Sequence, residues 1–460
     1  MTIRRYILLA LLPIVAQAQD SLVIMPVVWP IQPDGSNALV RCIAVVQEEV
    51  AKANEFLATG IYRRIQGGPK GELLHCGGQY PGKPEKDTDT MKTSRNAHAQ
   101  DALLTQAYLS EIVSKAREKF KVPAIAVTVM NAQTVFLQEV QGARVVGKPA
   151  QAKLDDYFHI GSCSKSVLAV MAAKLIEQKK IAWQTKFFDV FSDLKTNANG
   201  AYSDITLEDL FLSEAGIKAY TYTNSEADPF PGYEPSVSDK RLEFLKYLIT
   251  QPPSSEKKNG KFQHLYSNAS YTMASAMLER VSGLKYEDLV RKTLTDDLGM
   301  SIHIGWPNSM NADQPWGHRI TKDKIESFPP DHDYKIPYLI TPAGDLSMTP
   351  KDYAKYTQLH LRGLRGSENY ISSEAYRHIN FGHDGFSLGV ANGVWGGKRY
   401  SGFDGSAGTF FCRSIIVPDS DFAFTIMANA GSGTSSMEAV DWLTIRIVKK
   451  HFNWWWKFWL

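Results

Sequence analysis

The stretch Phe158-His159-Ile160-Gly161-Ser162-Cys163-Ser164-Lys165 leads directly into an apolar run, Ser166–Ile176. On a helix, residues three apart share one face, so the amine of Lys165 can reach the hydroxyl of Ser162. A serine hydroxyl is a weak nucleophile until a neighbour takes its proton, and a helix start favours negative charge nearby. The alternative is an exposed helix start without a function. However, the apolar run after Lys165 is typical of a buried helix, and burying a lysine without a purpose costs free energy. We therefore predict Ser162 as a nucleophile that Lys165 activates.

A second motif, Tyr266-Ser267-Asn268, precedes another helical run, 269–283. A tyrosine beside a lysine can have its pKa lowered and act as a general base. The Asn268 amide can bind a substrate carbonyl or orient the lysine. Alone, this motif is equally typical of an asparagine helix cap and a packed tyrosine, and it gains weight only from the Ser-x-x-Lys upstream. We predict Tyr266 as catalytic and Asn268 as substrate-binding.

The two motifs together resemble those of class C β-lactamases and penicillin-recognising serine hydrolases, including family VIII esterases and D-amino-acid peptidases. Other segments with counterparts in that superfamily follow in the expected order: Ile205–Ile217, Val281-Ser282-Gly283, Leu298-Gly299-Met300 and Ala343–Ser347. The resemblance covers about residues 99–448. It implies an acyl-enzyme mechanism that needs no metal or cofactor and acts on a small-molecule or peptide substrate.

The third family motif is usually Lys-Thr-Gly or His-x-Gly on the strand beside the nucleophile. Phe403-Asp404-Gly405-Ser406 stands at that place, so Phe403 replaces the basic residue. A rival register is His383-Asp384-Gly385, which spells His-x-Gly literally. From the first register we expect Phe403, Gly405 and Ser406 to bind substrate. The backbone N–H groups of Ser162 and Ser406 would then form the oxyanion hole.

Phenylalanine at position 403 can neither bind a carboxylate nor add positive potential beside the tyrosine. This favours an uncharged ester or amide substrate. A β-lactamase or D-amino-acid peptidase acting on cell-wall-type substrates is the alternative. A third hypothesis, also motivated by Phe403, is a non-catalytic sensor or binding protein on a decayed hydrolase fold.

Strand-like runs flank a helix-rich middle. An amphipathic helix (99–120) precedes a predicted hairpin made of Ala124–Met130 and Thr134–Val140. Three further runs follow the helical middle: Phe386–Val390, Gly408–Val417 and Phe422–Met427. This order predicts an α/β (α+β) fold of the β-lactamase/transpeptidase type, an antiparallel sheet flanked by helices with an inserted helical domain.

The N-terminal residues suggest export. Residues 1–18 have the layout of a cleavable bacterial-type signal peptide, with an uncleaved membrane anchor as the alternative. We predict a periplasmic or secreted protein with an appendage and linker (19–98), a hydrolase domain (99–453) and a Trp-rich tail (454–460). The tail either contacts a membrane surface peripherally or packs on the domain.

Export would permit a disulfide between Cys42 and Cys76. Cys163 and Cys412 are expected to be buried small residues, with a second bridge as the lesser alternative. Asp331-His332-Asp333 is expected to be a solvated loop, because no second cluster supplies metal ligands. The formal net charge of only +3 argues against nucleic acid as a partner.

Overall fold

The structure is a computed structural model that describes residues 104–221, 239–321, 324–431 and 434–453. Within it, Thr105–Leu443 form one compact unit. The predicted signal peptide, the appendage, the Cys42–Cys76 pair and the Trp-rich tail lie outside the described residues, so those predictions and the domain boundaries remain predictions. In the described ranges, no helix is both long and apolar enough to span a bilayer.

The α-helices are numbered in chain order. They are α1 (Gln106–Phe120), α2 (Ser164–Glu177), α3 (Phe187–Val190), α4 (Leu207–Phe211), α5 (Asp239–Thr250), α6 (Asn268–Ser282), α7 (Tyr286–Val290), α8 (Pro307–Met310), α9 (Pro350–Leu364), α10 (Ser373–Phe381) and α11 (Thr434–His451). Of the shorter helical segments, the 3₁₀ turns Gly161–Cys163 and Tyr338–Ala343 matter most for the site.

The strands are β1 (Ala124–Met130), β2 (Val135–Gly142), β3 (Phe158–His159), β4 (Lys257–Lys258), β5 (Lys261–Phe262), β6 (Ile302–Ile304), β7 (Gly317–Ile320), β8 (Ile325–Phe328), β9 (Leu346–Met348), β10 (Ala391–Trp395), β11 (Lys398–Ser406), β12 (Phe411–Val417) and β13 (Phe422–Ala428). The main sheet has the order β10-β11-β12-β13-β1-β2, and a smaller sheet has the order β3-β9-β6.

The main sheet joins strands from the two ends of the unit. β13 pairs antiparallel with β1, from Ile125 opposite Ala428 to Met130 opposite Ala423. The helix-rich middle of the chain is therefore inserted between β2 and β10. The predicted fold class, an antiparallel sheet with an inserted helical domain, is confirmed.

Helices cover both faces of the central strands, which explains why β1, β12 and β13 are buried at every position. On one face, α9 packs along these strands, and the Tyr353 hydroxyl lies 3.3 Å from the Ser414 hydroxyl. On the other face, Asp441 of α11 pairs with Arg413 of β12. Strands covered on both sides lose the alternation of polar and apolar residues, and these are largely apolar, with Arg413 and Ser414 as the polar positions of β12.

One predicted strand is wrong. Residues Phe386–Val390 form a turn, and the edge strand of the sheet is β10, which begins at Ala391. Gly389 has φ +84°, a left-handed conformation that interrupts an extended strand. An added Cβ at Gly389 would lie 3.0 Å from the Cβ of Lys165, so this turn presses against helix α2.

A buried ion cluster fixes the middle of β11. Arg413, 3% exposed, donates to both carboxylate oxygens of Asp404 at 2.7 and 2.6 Å and to Asp441 at 2.6 Å. Burial alone would lower the pKa of Arg413, but the two carboxylates outweigh it and the pKa is raised. Asp404 belongs to the segment predicted as the third motif, so this cluster holds that segment to β12.

Replacing Arg413 by methionine is expected to lower the free energy of unfolding by about 3–5 kcal/mol, because two partly buried carboxylates lose their counter-charge. The matched control is Arg399→Met, since the Arg399–Asp419 pair is exposed at both ends and should cost at most about 1 kcal/mol. Chemical denaturation of both variants measures the difference. Equal losses would show that the buried cluster adds no special stability.

Candidate active site

Ser162 lies at the centre of a short 3₁₀ turn, Gly161–Cys163, which runs directly into α2. Gly161 has φ +52°, so the chain reverses sharply from β3 into the turn. The Ser164 hydroxyl donates to the Gly161 carbonyl at 2.7 Å and closes the turn from within. The predicted position of Ser162 at a helix start is thus observed.

Lys165 reaches Ser162 as its spacing predicts. Its Nζ lies 3.2 Å from the Ser162 Oγ, 2.7 Å from the Asn268 Oδ1 and 2.7 Å from the carbonyl oxygen of Ala343. The side chain is only 1% exposed, and this burial lowers the pKa of the amine well below its ordinary value. The two other oxygens can only accept, so a neutral amine donates its two hydrogens to them. Its lone pair then remains for the Ser162 hydroxyl proton.

Asn268 opens helix α6 and orients the lysine. Its Oδ1 accepts from Lys165, and its Nδ2 donates to the Tyr220 carbonyl at 2.8 Å. The helix cap is Ser267, whose hydroxyl accepts from the Ser270 N–H. Of the two roles predicted for Asn268, orientation of the lysine is supported by this contact, and substrate binding stays a prediction.

Tyr266 shares a hydrogen bond with Ser162, and its ring centroid lies 4.7 Å from the Lys165 Nζ. The structure therefore brings Ser162, Lys165 and Tyr266 together as predicted. The predicted direction of the Tyr266 pKa is wrong, however. Burial raises the pKa of the phenol, and the hydrogen bond with Ser162 offsets only part of the rise. A buried lysine that favours its neutral form supplies little positive charge to lower it.

Gly405 and Ser406 lie directly against the turn Gly161–Cys163, which carries the predicted nucleophile and is called the nucleophile turn below. An added Cβ at Gly405 would approach the Ile160 carbonyl oxygen to 1.9 Å, and one at Gly161 would approach the Ser406 nitrogen to 2.5 Å. Only glycine on both sides allows this backbone contact. The structure thus selects the Phe403–Ser406 register. His383, in the rival register, instead contacts Glu208 at 3.2 Å, outside any strand of the sheet.

Phe403 does not line the site as predicted. Its side chain is 2% exposed within the apolar core, and its ring meets His360 of α9 edge-on at 5.2 Å. Direct contact with a substrate is therefore contradicted. The apolar Phe403 ring packs favourably in the core, whereas a lysine at this position would place a charged group in the same apolar surroundings at a cost in free energy.

Two further predictions concern cysteines and a metal. Cys163 and Cys412 are free and fully buried, as the simpler prediction had it, and no bridge joins them.

His332 accepts a hydrogen bond from the Tyr334 N–H within its own loop. Among the residues that the structure describes, no group of three or more histidine, cysteine, aspartate or glutamate residues could hold a metal ion.

Sequence reasoning missed the partners that complete the site. The Ala343 carbonyl holds Lys165, and Asp345, two residues later, contacts His159 just before the nucleophile turn. Both residues lie in the segment Ala343–Ser347, noted in the sequence only for its place in the motif order. A backbone carbonyl that acts as an acceptor, and a contact between residues 186 positions apart, cannot be predicted from a local sequence pattern.

Comparison with known proteins agrees with the motifs. A family model described as Beta-lactamase matches residues 109–449. Among curated proteins, the chain is similar to the "Unguisins hydrolase ungD" of Aspergillus violaceofuscus, with 22% identity over 53% of this chain and 43% of that protein. It is also similar to "Unguisins hydrolase ungD'" of Aspergillus campestris, with 20% identity over 70% of this chain and 61% of that protein. The chain thus spans less than two thirds of either relative.

Among solved structures, the class C beta lactamase of Rhodobacter sphaeroides is similar to this chain with a TM-score of 0.58 and 17% identity. The match covers 74% of this chain and 99% of that one. At this identity the likeness bears on the fold alone, and it agrees with the sheet and the inserted helices described above.

Proposed function

Because the chain belongs to the beta-lactamase family, whose model matches residues 109–449, we propose that it is a serine hydrolase acting through an acyl-enzyme on Ser162. The observation that carries the proposal is the buried Lys165 amine, 3.2 Å from the Ser162 hydroxyl and held by two fixed acceptors. This is the nucleophile–base pair, with the base oriented by further groups, that covalent catalysis requires.

In the proposed mechanism, the neutral Lys165 amine takes the Ser162 proton as the oxygen attacks the substrate carbonyl. Tyr266 remains a phenol, since its pKa is raised, and it donates its proton to the leaving group as the tetrahedral intermediate collapses. The proton that Lys165 took from Ser162 then passes to the Tyr266 oxygen, which restores the neutral amine and the phenol. The sequence left both Lys165 and Tyr266 as candidate bases, whereas in this mechanism Lys165 is the base and Tyr266 is the acid. Water then hydrolyses the acyl-enzyme on Ser162 and releases the acid.

The oxyanion of the tetrahedral intermediate would be held by backbone N–H groups of Ser162 and Ser406. Support comes from the glycine-only contact between the nucleophile turn and the end of β11. The Arg413–Asp404 pair further secures β11, which carries Ser406. Backbone donors depend on strand position, so the buried Phe403 leaves this part of the site intact.

The proposed substrates are esters or amides without a carboxylate beside the reacting carbonyl. A phenylalanine replaces the basic residue of the third motif, and its burial leaves no cation at position 403 to pair with a carboxylate. The names of the two Aspergillus relatives are consistent with hydrolysis but do not define a substrate for this chain.

We further propose that the protein is exported to the periplasm or secreted, on the leader-like sequence of residues 1–18. The tail Trp454–Leu460 follows Lys449 and Lys450, and tryptophan with lysine favours the interface of a membrane. A peripheral contact of this tail with a membrane surface belongs to the same proposal.

The test is a substrate panel on the full chain: short p-nitrophenyl esters, a chromogenic cephalosporin and a peptide ending in D-Ala-D-Ala. We expect kcat/KM for the best ester to exceed that for the cephalosporin by at least about 100-fold. A fluorophosphonate probe should modify the peptide that contains Ser162, as read by mass spectrometry. Faster cephalosporin or peptide turnover would favour the cell-wall alternative. A chain inert to every substrate and probe would instead fit a binding protein.

A further inference from the structure

His159 is a fully buried histidine next to the nucleophile turn, and the proposed mechanism does not use it. It lies on β3, opposite Ser347 of β9. Its Nδ1 accepts a hydrogen bond from the Gly161 N–H at 3.0 Å, and its Nε2 lies 3.0 Å from the Asp345 Oδ1. Since Nδ1 accepts, Nε2 carries the hydrogen and donates it to Asp345.

The imidazole is held neutral in this one tautomer. Burial lowers the pKa of His159, although Asp345 opposes the effect. The Trp306 ring meets the imidazole edge-on at 4.3 Å, and the Phe410 ring lies at 6.3 Å. A further titratable neighbour is His303, whose pKa is also lowered by burial. In such an apolar enclosure both hydrogen bonds are strong, because water does not compete for them.

Asp345 connects this histidine to the segment that holds the catalytic amine. Its backbone N–H donates to the Thr341 carbonyl at 3.2 Å, within the turn Tyr338–Ala343 whose Ala343 carbonyl accepts from Lys165. Between them, an added Cβ at Gly344 would lie 3.5 Å from the carbonyl carbon of Gly161. The His159 ring therefore links the turn carrying the nucleophile to the segment that orients its base.

We propose that His159 and Asp345 are positioning residues that set the Gly161 peptide, and through it Ser162, in reactive geometry. The inference rests on the proposed function, in that Ser162 is taken as the nucleophile. Gly161 adopts a left-handed conformation, and its N–H is bound by an imidazole whose tautomer Asp345 determines. A nucleophile misplaced by about 1 Å can lose about 100-fold in rate.

Two substitutions of His159 separate its two hydrogen bonds. His159→Asn keeps an acceptor near the position of Nδ1, where it can bind the Gly161 N–H as an Asx turn does. His159→Gln keeps a donor near the position of Nε2, facing Asp345, and loses the acceptor for Gly161. We expect His159→Gln to lower kcat by about 30–100-fold with KM changed less than about 3-fold. His159→Asn should stay within about 5-fold of the wild type.

Hydrogen exchange of the peptide containing Gly161 gives a readout that does not depend on turnover. Exchange should be faster in His159→Gln than in the wild type, and close to the wild type in His159→Asn. Equal loss of kcat in the two variants, or a loss confined to KM, would overturn the positioning role, as would unchanged exchange in His159→Gln. If the wild type hydrolyses nothing and Ser162 stays unlabelled, the proposed function fails, whereas the exchange data still decide the role of His159.

Discussion

Replacing Ser162 by alanine is expected to abolish the acyl-enzyme and to lower kcat for the best ester by about 10⁴-fold or more. The Ser162 hydroxyl lies 3.2 Å from the Lys165 amine, and without it the proposed covalent pathway has lost its nucleophile. The measurement is steady-state turnover together with the intact mass of the protein after brief exposure to substrate or fluorophosphonate.

The matched control is Ser164→Ala, in the same Ser-x-Ser-Lys segment. The Ser164 hydroxyl donates to the Gly161 carbonyl and is fully buried, so its loss should cost about 1 kcal/mol, which corresponds to about 5-fold in rate if the whole cost falls on the reaction. Inactivation by Ser164→Ala with activity retained in Ser162→Ala would move the nucleophile and refute the proposed site.

Replacing Lys165 by methionine should slow acylation of Ser162 by about 10³–10⁴-fold, because the proposed general base is removed while helix α2, which follows Ser162, remains apolar and packed. Methionine has a similar length and suits the buried position, since the lysine it replaces is 1% exposed. Single-turnover labelling of Ser162 measures the effect directly. Lys174→Met, on the same helix but bound to the Tyr370 carbonyl, is the control and should label at the wild-type rate.

The pH dependence checks the same assignment. Burial lowers the pKa of Lys165, so the amine that accepts the proton is already neutral at a pH well below that of an ordinary lysine. Wild-type acylation should rise with pH through this lowered pKa and then stay level. It should not depend on a tyrosinate, since the pKa of Tyr266 is raised. Acylation that begins to rise only near the ordinary lysine pKa would contradict a neutral Lys165.

Some parts of the site could be predicted from the sequence because they depend on residues that are close together along the chain. Three-residue spacing on a helix places Lys165 beside Ser162, whatever lies around them. The apolar runs of β1, β12 and β13 indicate strands, and their order indicates a sheet built from both ends of the unit. The strand expected at Phe386–Val390 was wrong because an apolar run does not reveal that Gly389 turns against helix α2.

Other parts required the packed structure. The sequence could place Tyr266 near Lys165, but the direction of its pKa depends on how much water each group loses on folding. The position of Phe403 in the motif was readable, while its burial against His360 was not. His159 and Asp345 pair across 186 residues, a contact that no periodicity encodes.

By itself, then, the sequence predicted the fold and the residues of the proposed site, namely the serine nucleophile, its lysine, the tyrosine and the asparagine. The serine and lysine follow from local spacing, the tyrosine and asparagine from the pairing of their motif with the serine–lysine motif, and the fold from the order of elements along the chain. Only the tertiary structure showed the directions of the Lys165 and Tyr266 pKa shifts, the burial of Phe403 and the contact of His159 with the Gly161 N–H. The physical reason is that desolvation and hydrogen bonding between distant residues arise only when the chain is packed.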